Sequence, residues 1–358
     1  MRKGPKTRRM KRNPRNMKEE LKTRKRKELA LAVAAALALA FVFALALPRL
    51  KGEVVLPNPS DEAVPQEPVG RHPLTGEVIY KDVGFPQTYG VMVDDHVDAW
   101  PQAGLEKAFL VFEAPVEAGI PRFLAFFYEG QEVGKIGPVR SARPYFLDWN
   151  NELDALYAHV GGSDAALDLI ASGGTFDLNE YGKSSFFWRA YNRYAPHNTY
   201  TSTARLRSFA GERRSVYETW TFKDPPVVAE PEVARFELSF YPPTYVVEWK
   251  FDPFLNRYRR FQAGGAHVTE DGEQVMADNV AVVVTDVVVL DSVGRRRIRT
   301  LGEGEAVVFL DGNQEKGTWK KETQSSRLRF YDGQGQEMVF NAGVTWVEVI
   351  PDASALSF

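Results

Sequence analysis

Apolar and polar positions divide the chain into four stretches with different rhythms. The first is unbroken: residues 29–47 are 19 uncharged side chains, nearly all Ala, Leu, Val and Phe. As a helix this run would rise roughly 28 Å, about the thickness of a bilayer hydrocarbon core. The second stretch, 48–84, has no apolar periodicity, and seven prolines fall between Pro48 and Pro86. It reads as an extended linker. The third, 85–225, mixes two periods. Runs at 89–94, 109–112 and 123–128 have the aliphatic and aromatic density of strands, with Gly119 and Pro121 supplying a turn. After Arg143, the residues Phe146, Trp149, Leu153 and Leu156 recur near helical spacing. Residues 155–159 read as a buried strand. Ser163 is placed to cap a helix over 164–171 that Gly173-Gly174 closes, and Ser202 or Thr203 to cap another through Arg207 and Phe209. The fourth stretch, 232–355, holds nine or ten short β-rich runs, among them 235–241, 279–290 and 345–349, with Asp-Gly turns at Asp271, Asp311 and Asp332.

This pattern predicts an α+β chain: a transmembrane helix, a mixed α/β domain over 85–225, and an antiparallel all-β domain over 232–355. The change of period near Pro225-Pro226 predicts two separate cores.

Charge then orients the chain. Residues 1–27 carry 14 Lys and Arg against Glu19 and Glu20, a net of +12, and the remainder carries a net of -14. A basic flank ahead of an apolar span places that flank, 1–28, in the cytoplasm and everything after Pro48 outside, in a single-pass membrane protein. The competing reading is a signal peptide cleaved after Ala46 in the Ala44-Leu45-Ala46 sequence. The basic tail is expected to contact lipid rather than nucleic acid. The chain has no cysteine, which excludes a disulfide framework, a thiolate metal site and a cysteine nucleophile.

Candidate chemistry gathers in the third stretch. Arg140 and Arg143 flank Ser141 ahead of a helix, and Arg122 follows Pro121 in a turn. Guanidiniums, a hydroxyl and helix N-terminal amides together suit an anion. Two further polar clusters are His197-Asn198 with Thr201, and His159 before Gly161, Gly162 and Ser163. Asp94, Asp95, Glu113 and Glu117 are secondary candidates, as partners for the arginines. The same residues also fit a structural ion-pair network. A Ser-His-Asp triad from Ser163 or Ser141, His197 or His159, and Asp94 lacks the Gly-x-Ser-x-Gly elbow. Asp94, Asp95, His96 and Asp98 are ligand types, but acidic loops after strands are common and no H-E-x-x-H motif occurs, so neither metal nor cofactor is expected. Trp249, Trp319, Trp346, Tyr241, Tyr245 and Tyr258 read as core aromatics, and His267 as a loop residue.

Several unbroken segments carry a resemblance. They are Val91-Met-Val-Asp-Asp-His96 with Pro101-Gln-Ala-Gly-Leu105, Ile136-Gly-Pro-Val-Arg-Ser-Ala-Arg-Pro-Tyr-Phe146, His159-Val-Gly-Gly-Ser163, Ala195-Pro-His-Asn-Thr199 and, further on, Asn341-Ala-Gly-Val-Thr-Trp346. Over about 73–350 the chain resembles the YerB-like family, bacterial lipoproteins and membrane proteins of unknown function with N- and C-terminal parts. Asp95 and Trp100 stand where that family usually has Asn and Arg. The resemblance implies an envelope-anchored, two-domain protein and brings no reaction with it. Three readings remain open: a non-catalytic envelope module binding an anionic small molecule, polymer or protein partner; an enzyme acting on an envelope polymer, with Arg122, Arg140 and Arg143 as an anion clamp and His197 as acid/base; and a scaffold recruiting a cytoplasmic partner through the basic tail.

Overall fold

Strands whose successive residues are all buried must have both faces covered, and the chain solves this by building one wide sheet between two layers. The structure is a computed structural model that describes residues 67–228 and 230–358. The N-terminal half supplies β1 (Thr88–Asp94), β2 (Leu110–Pro115), β3 (Pro121–Tyr128), β4 (Leu156–His159) and β5 (Phe176–Asn179). The C-terminal half supplies β6 (Arg235–Tyr241), β7 (Tyr245–Asp252), β8 (Arg257–Gln262), β9 (Asn279–Val284), β10 (Gly302–Leu310), β11 (Asn313–Lys321), β12 (Arg329–Asp332) and β13 (Thr345–Ile350). Ten of these form a mixed sheet in the order β12-β11-β10-β9-β13-β2-β3-β1-β4-β5. Strands β6, β7 and β8 form a second, antiparallel sheet, edged by Gly265–Ala266 and Leu356–Ser357.

Alternation along each strand sorts the two faces. Met92, Phe112, Leu124, Phe126, Val283 and Val347 face the helices α1 (Pro144–Asn151) and α2 (Asp164–Ala171), where Phe112 stacks on Trp149 at 5.1 Å. Val91, Val111, Phe123, Val280 and Trp346 face α3 (Thr203–Ala210) and the second sheet, where Phe236 stacks on Phe309 and Trp249 meets Trp346 edge-on. Caps on Ser163 and Ser202 are as expected, each side chain accepting an N–H three residues on.

Four expectations change. The halves do not have separate cores: β13 pairs parallel with β2, from Thr345↔Leu110 to Glu348↔Glu113, and both apolar clusters take residues from both halves. The C-terminal half contains no α-helix among the described residues, yet it is not purely antiparallel, because β9 and β13 run parallel. The linker 48–84 ends early. Strands Gly70–Arg71 and Val78–Ile79 form a hairpin, Leu74 is buried, and Arg71 makes two hydrogen bonds to Asp224, both 2.9 Å. The run 279–290 is also two strands, since the chain leaves the sheet where Thr285 Oγ1 donates to the Arg299 carbonyl at 2.7 Å. The tail 1–28, the apolar span 29–47 and linker residues up to 66 lie outside the described residues. Among the described residues no helix is long and apolar enough to cross a membrane.

Candidate anion-binding site

The site forms where β1 and β4 diverge at their C-terminal ends. Residues 138–142 wedge between them: Asp94 N–H donates to the Pro138 carbonyl (2.9 Å) and Arg140 N–H to that of Met92 (2.8 Å). On the other side, Val160 N–H reaches the Arg140 carbonyl and Ala142 N–H the Gly161 carbonyl, each at 3.0 Å. Helices α1 and α2 both begin at this edge, behind Arg143 and Ser163. The C-terminal edge of parallel strands, beside helix N-termini, is where ligands sit in open α/β sheets. Glycine is favoured at 161, because its φ is +58°, in the left-handed region that side chains rarely adopt.

Charge at this edge is unbalanced. Arg143 grips Glu117 in a bidentate pair, Nε to Oε1 at 2.6 Å and Nη2 to Oε2 at 2.7 Å. Arg140 Nε stands 3.0 Å from Asp94 Oδ2, and its side chain remains 22% exposed. Arg122 is buried. Its Nη1 donates to the Ser141 carbonyl at 2.8 Å, and its Nε has no partner. Three guanidiniums thus face two carboxylates. Burial, then the charge of Arg143, lowers the Arg122 pKa to about 10, so the group still carries its proton at neutral pH. Burial works to raise Asp94, but the His197 hydrogen bond and the charges of Arg122 and Arg140 outweigh it and hold the carboxyl below its usual range. Glu117 is likewise held low, as Arg143 outweighs burial.

Around this core the structure adds one group that the sequence did not single out, Tyr157, beside two that it did, His159 and His197. The Tyr157 hydroxyl is fully buried without a partner, within reach of the charges of Arg122 and Arg143. His159 sits between the Gly161 carbonyl, 2.7 Å from Nδ1, and Asp177, 2.6 Å from Nε2. The signal was available for Tyr157: it shares a strand face with His159 two residues on. His197 Nδ1 lies 2.6 Å from Asp94 Oδ2, and no serine hydroxyl bonds His197 among the described residues.

Other candidates have structural work elsewhere. Asn198 accepts from Arg189 Nη1 at 3.1 Å and donates to the Arg193 carbonyl, and Thr201 Oγ1 donates to the Phe186 carbonyl at 2.9 Å. Gly162 packs against Ala142 and Leu167, and Ser163 caps α2. Asp95 and Glu113 are not at this edge at all, because both face the second sheet. There Arg260 Nη2 donates to Glu113 Oε1 (2.8 Å) and Oε2 (2.7 Å), while its Nη1 meets Gln262 and His267. Gln262 Nε2 donates to Asp95 Oδ2 at 2.6 Å, and Gln102 Nε2 to Asp95 Oδ1 at 2.9 Å. His267 does lie in the loop after Gly265–Ala266, as expected, but it is not a solvated one. It is buried, bonded to Gln102 Oε1, and pushed well below the usual imidazole range by burial and the Arg260 charge. Trp249, Trp319, Trp346, Tyr245 and Tyr258 are core as expected, whereas Tyr241 is exposed.

Residues 74–216 match the N-terminal domain, and residues 236–347 the C-terminal domain, of the family described as protein of unknown function DUF3048. The chain belongs to this family. Among its relatives is "Putative lipoprotein YerB" of Bacillus subtilis (strain 168), 32% identical over 293 residues that cover 80% of this chain and 87% of the relative. The crystal structure of YerB protein from Bacillus subtilis is similar, with a TM-score of 0.73 at 31% identity, covering 80% of this chain and 98% of that one. Both DUF3048 domains contribute strands to the ten-stranded sheet, so the family's two parts are sequence units that share one core here.

Proposed function

We propose that this DUF3048 protein is an extracytoplasmic envelope module, tethered by the 29–47 span, whose N-terminal half binds an anionic ligand at the Arg122–Arg140–Arg143 edge. The tether reading is supported by the basic run ahead of the apolar span and by the name of the YerB relative. The anion reading rests on one observation above all: the buried Arg122 Nε and the buried Tyr157 hydroxyl have no protein partner, beside guanidiniums that outnumber their carboxylates. Buried polar atoms ordinarily find a partner, and an anion's oxygens would supply it.

The test is a thermal melt of the full chain in detergent with phosphate, sulfate and acidic glycan fragments. An anion that binds the folded state raises its stability by about 2.7 kcal/mol at a hundred times Kd. Arg140→Ala should stay folded and lose that gain. If no anion raises the transition of the wild type, the binding reading fails.

A second reading draws on the Asp94–His197 pair: an enzyme that clamps an anionic envelope polymer with the arginines and uses His197 as acid/base. It differs in outcome, since a bound polymer would be consumed and His197→Ala would abolish turnover while leaving binding in place.

A further inference from the structure

The chain has five histidines, and three of them, His72, His159 and His267, are buried. The two that reach solvent are 101 positions apart in sequence yet lie ring against ring, His96 on His197, with centroids 4.7 Å apart and planes 20° from parallel. Asp98 lies beside them. One ligand atom of each of His96, Asp98 and His197 falls within 4.8 Å of the others. We propose that these three side chains bind a single divalent cation of the zinc type, with Asp94 as the group that orients His197.

One hydrogen bond already prepares a lone pair, that of His197. Asp94 Oδ2 lies 2.6 Å from His197 Nδ1, so the carboxylate accepts that proton and leaves Nε2 to coordinate. This carboxylate–histidine arrangement is the usual support behind a metal-bound imidazole. His96 Nδ1 accepts from the Asp98 N–H at 3.2 Å, and this bond must yield for the same lone pair to coordinate; Asp98 Oδ2 is 3.5 Å away. Ligands held about 2.0–2.2 Å from a tetrahedral zinc are themselves roughly 3.3–3.5 Å apart. The His96–Asp98 spacing already meets this; the three ligand atoms lie within 4.8 Å of one another, so closure on an ion requires rotation of the imidazoles as well as of the Asp98 side chain, which is 70% exposed. Two imidazoles and one carboxylate favour zinc or a neighbouring transition metal over calcium or magnesium, which prefer all-oxygen sets.

Three protein ligands leave a coordination position open. It faces a cleft of about 630 Å³ lined by Asp98, Trp100, Arg193, Tyr194 and His197. Arg140 Nε lies 3.0 Å from the same Asp94 Oδ2 that His197 uses, so the cation's charge is not fully offset by the protein, and the open position suits an anionic co-ligand. The inference stands on the His–Asp–His geometry and does not need the arginine edge to bind anything.

The experiment uses the full chain in detergent, stripped with a chelator and titrated with Zn²⁺ by calorimetry, with Co²⁺ absorption as a second readout. One ion per chain is expected. Asp98→Asn and the double variant His96→Ala/His197→Ala should weaken binding by at least about tenfold, as loss of ligands requires. Asp94→Asn, which removes only the orienting group, should weaken it by about 10- to 100-fold. Absence of both zinc heat and a cobalt band in the wild type overturns the proposal, as does unchanged affinity in the double variant. If the double variant loses its melting transition, the exposed Asp98→Asn decides alone, and wild-type affinity there overturns the site. Phosphate melts of the chelator-stripped chain report the arginine edge with no ion present, so this proposal and the anion reading can fail separately.

Discussion

Glu348 shows how one residue sets a pH dependence. It is fully buried on β13, its Oε1 accepts from Trp249 Nε1 at 2.9 Å, and its Oε2 faces no donor. Burial first, then the neighbouring Glu113, raises its pKa well above 4.5, although Arg260 opposes the shift. A raised carboxyl in the folded state holds its proton where the unfolded chain has released it. Its contribution is therefore fully present below about pH 4.5 and is lost as pH rises toward the folded pKa, by up to about 1.4 kcal/mol per unit. Asp94 and Glu117 have the opposite sign: their stabilisation is present above the ordinary carboxyl range and is lost as pH falls. Glu348→Gln keeps the shape and removes the titration. Urea melts at about pH 5 and about pH 8 should show the wild type losing more stability across that interval than the variant. Equal losses would mean that Glu348 is ionised throughout.

Between elements, the decisive contact is the clasp from β8 to β2. Arg260 and Glu113 are both 0% exposed and joined through two hydrogen bonds, with Trp346 Nε1 donating to Glu113 Oε2 at 3.2 Å. Removing one side of such a pair leaves a buried charge without a partner and costs about 3–5 kcal/mol, whereas replacing the pair with packed apolar residues can be neutral. Arg260→Met should lower the urea midpoint sharply, and Arg260→Met combined with Glu113→Leu should recover most of the loss. If the double variant is as unstable as the single, the clasp contributes through packing alone. The sequence already pointed to α2 and α3 through Ser163 and Ser202, because a cap is a local signal. The convergence of Arg122, Arg140 and Arg143 was legible too, through their glycine- and serine-rich neighbours. The clasp was not: the expected partners of Glu113 and Asp95 were the local arginines, and Arg260 and Gln262 lie more than 140 residues away. A single clue existed, since Arg260 alternates with Tyr258 and Gln262 on the inward face of β8, where a charge demands a buried partner.

At the scale of the whole molecule, the change from mixed to strand-only patterning near Pro225-Pro226 is real, but it marks a change of composition and not a boundary between cores. Period-two runs do not say which strand they pair with, and β13 finds β2 across 235 positions of sequence. The consequence is a prediction about fragments. Residues 232–355 alone would leave β13 without its neighbour β2 and strand Arg260 without Glu113 and without the Phe123 ring of β3 that lies against its guanidinium. That fragment should show no cooperative thermal transition by circular dichroism. Mixed with a second fragment covering 67–231, it should regain one, because the parallel β2–β13 pairing and the clasp can form between chains as well as within one. A cooperative transition for 232–355 by itself, with the strand signature of the full protein, would mean that the shared sheet is a docking of two independent folds, and the family's two domains would then be physical units as well as sequence units.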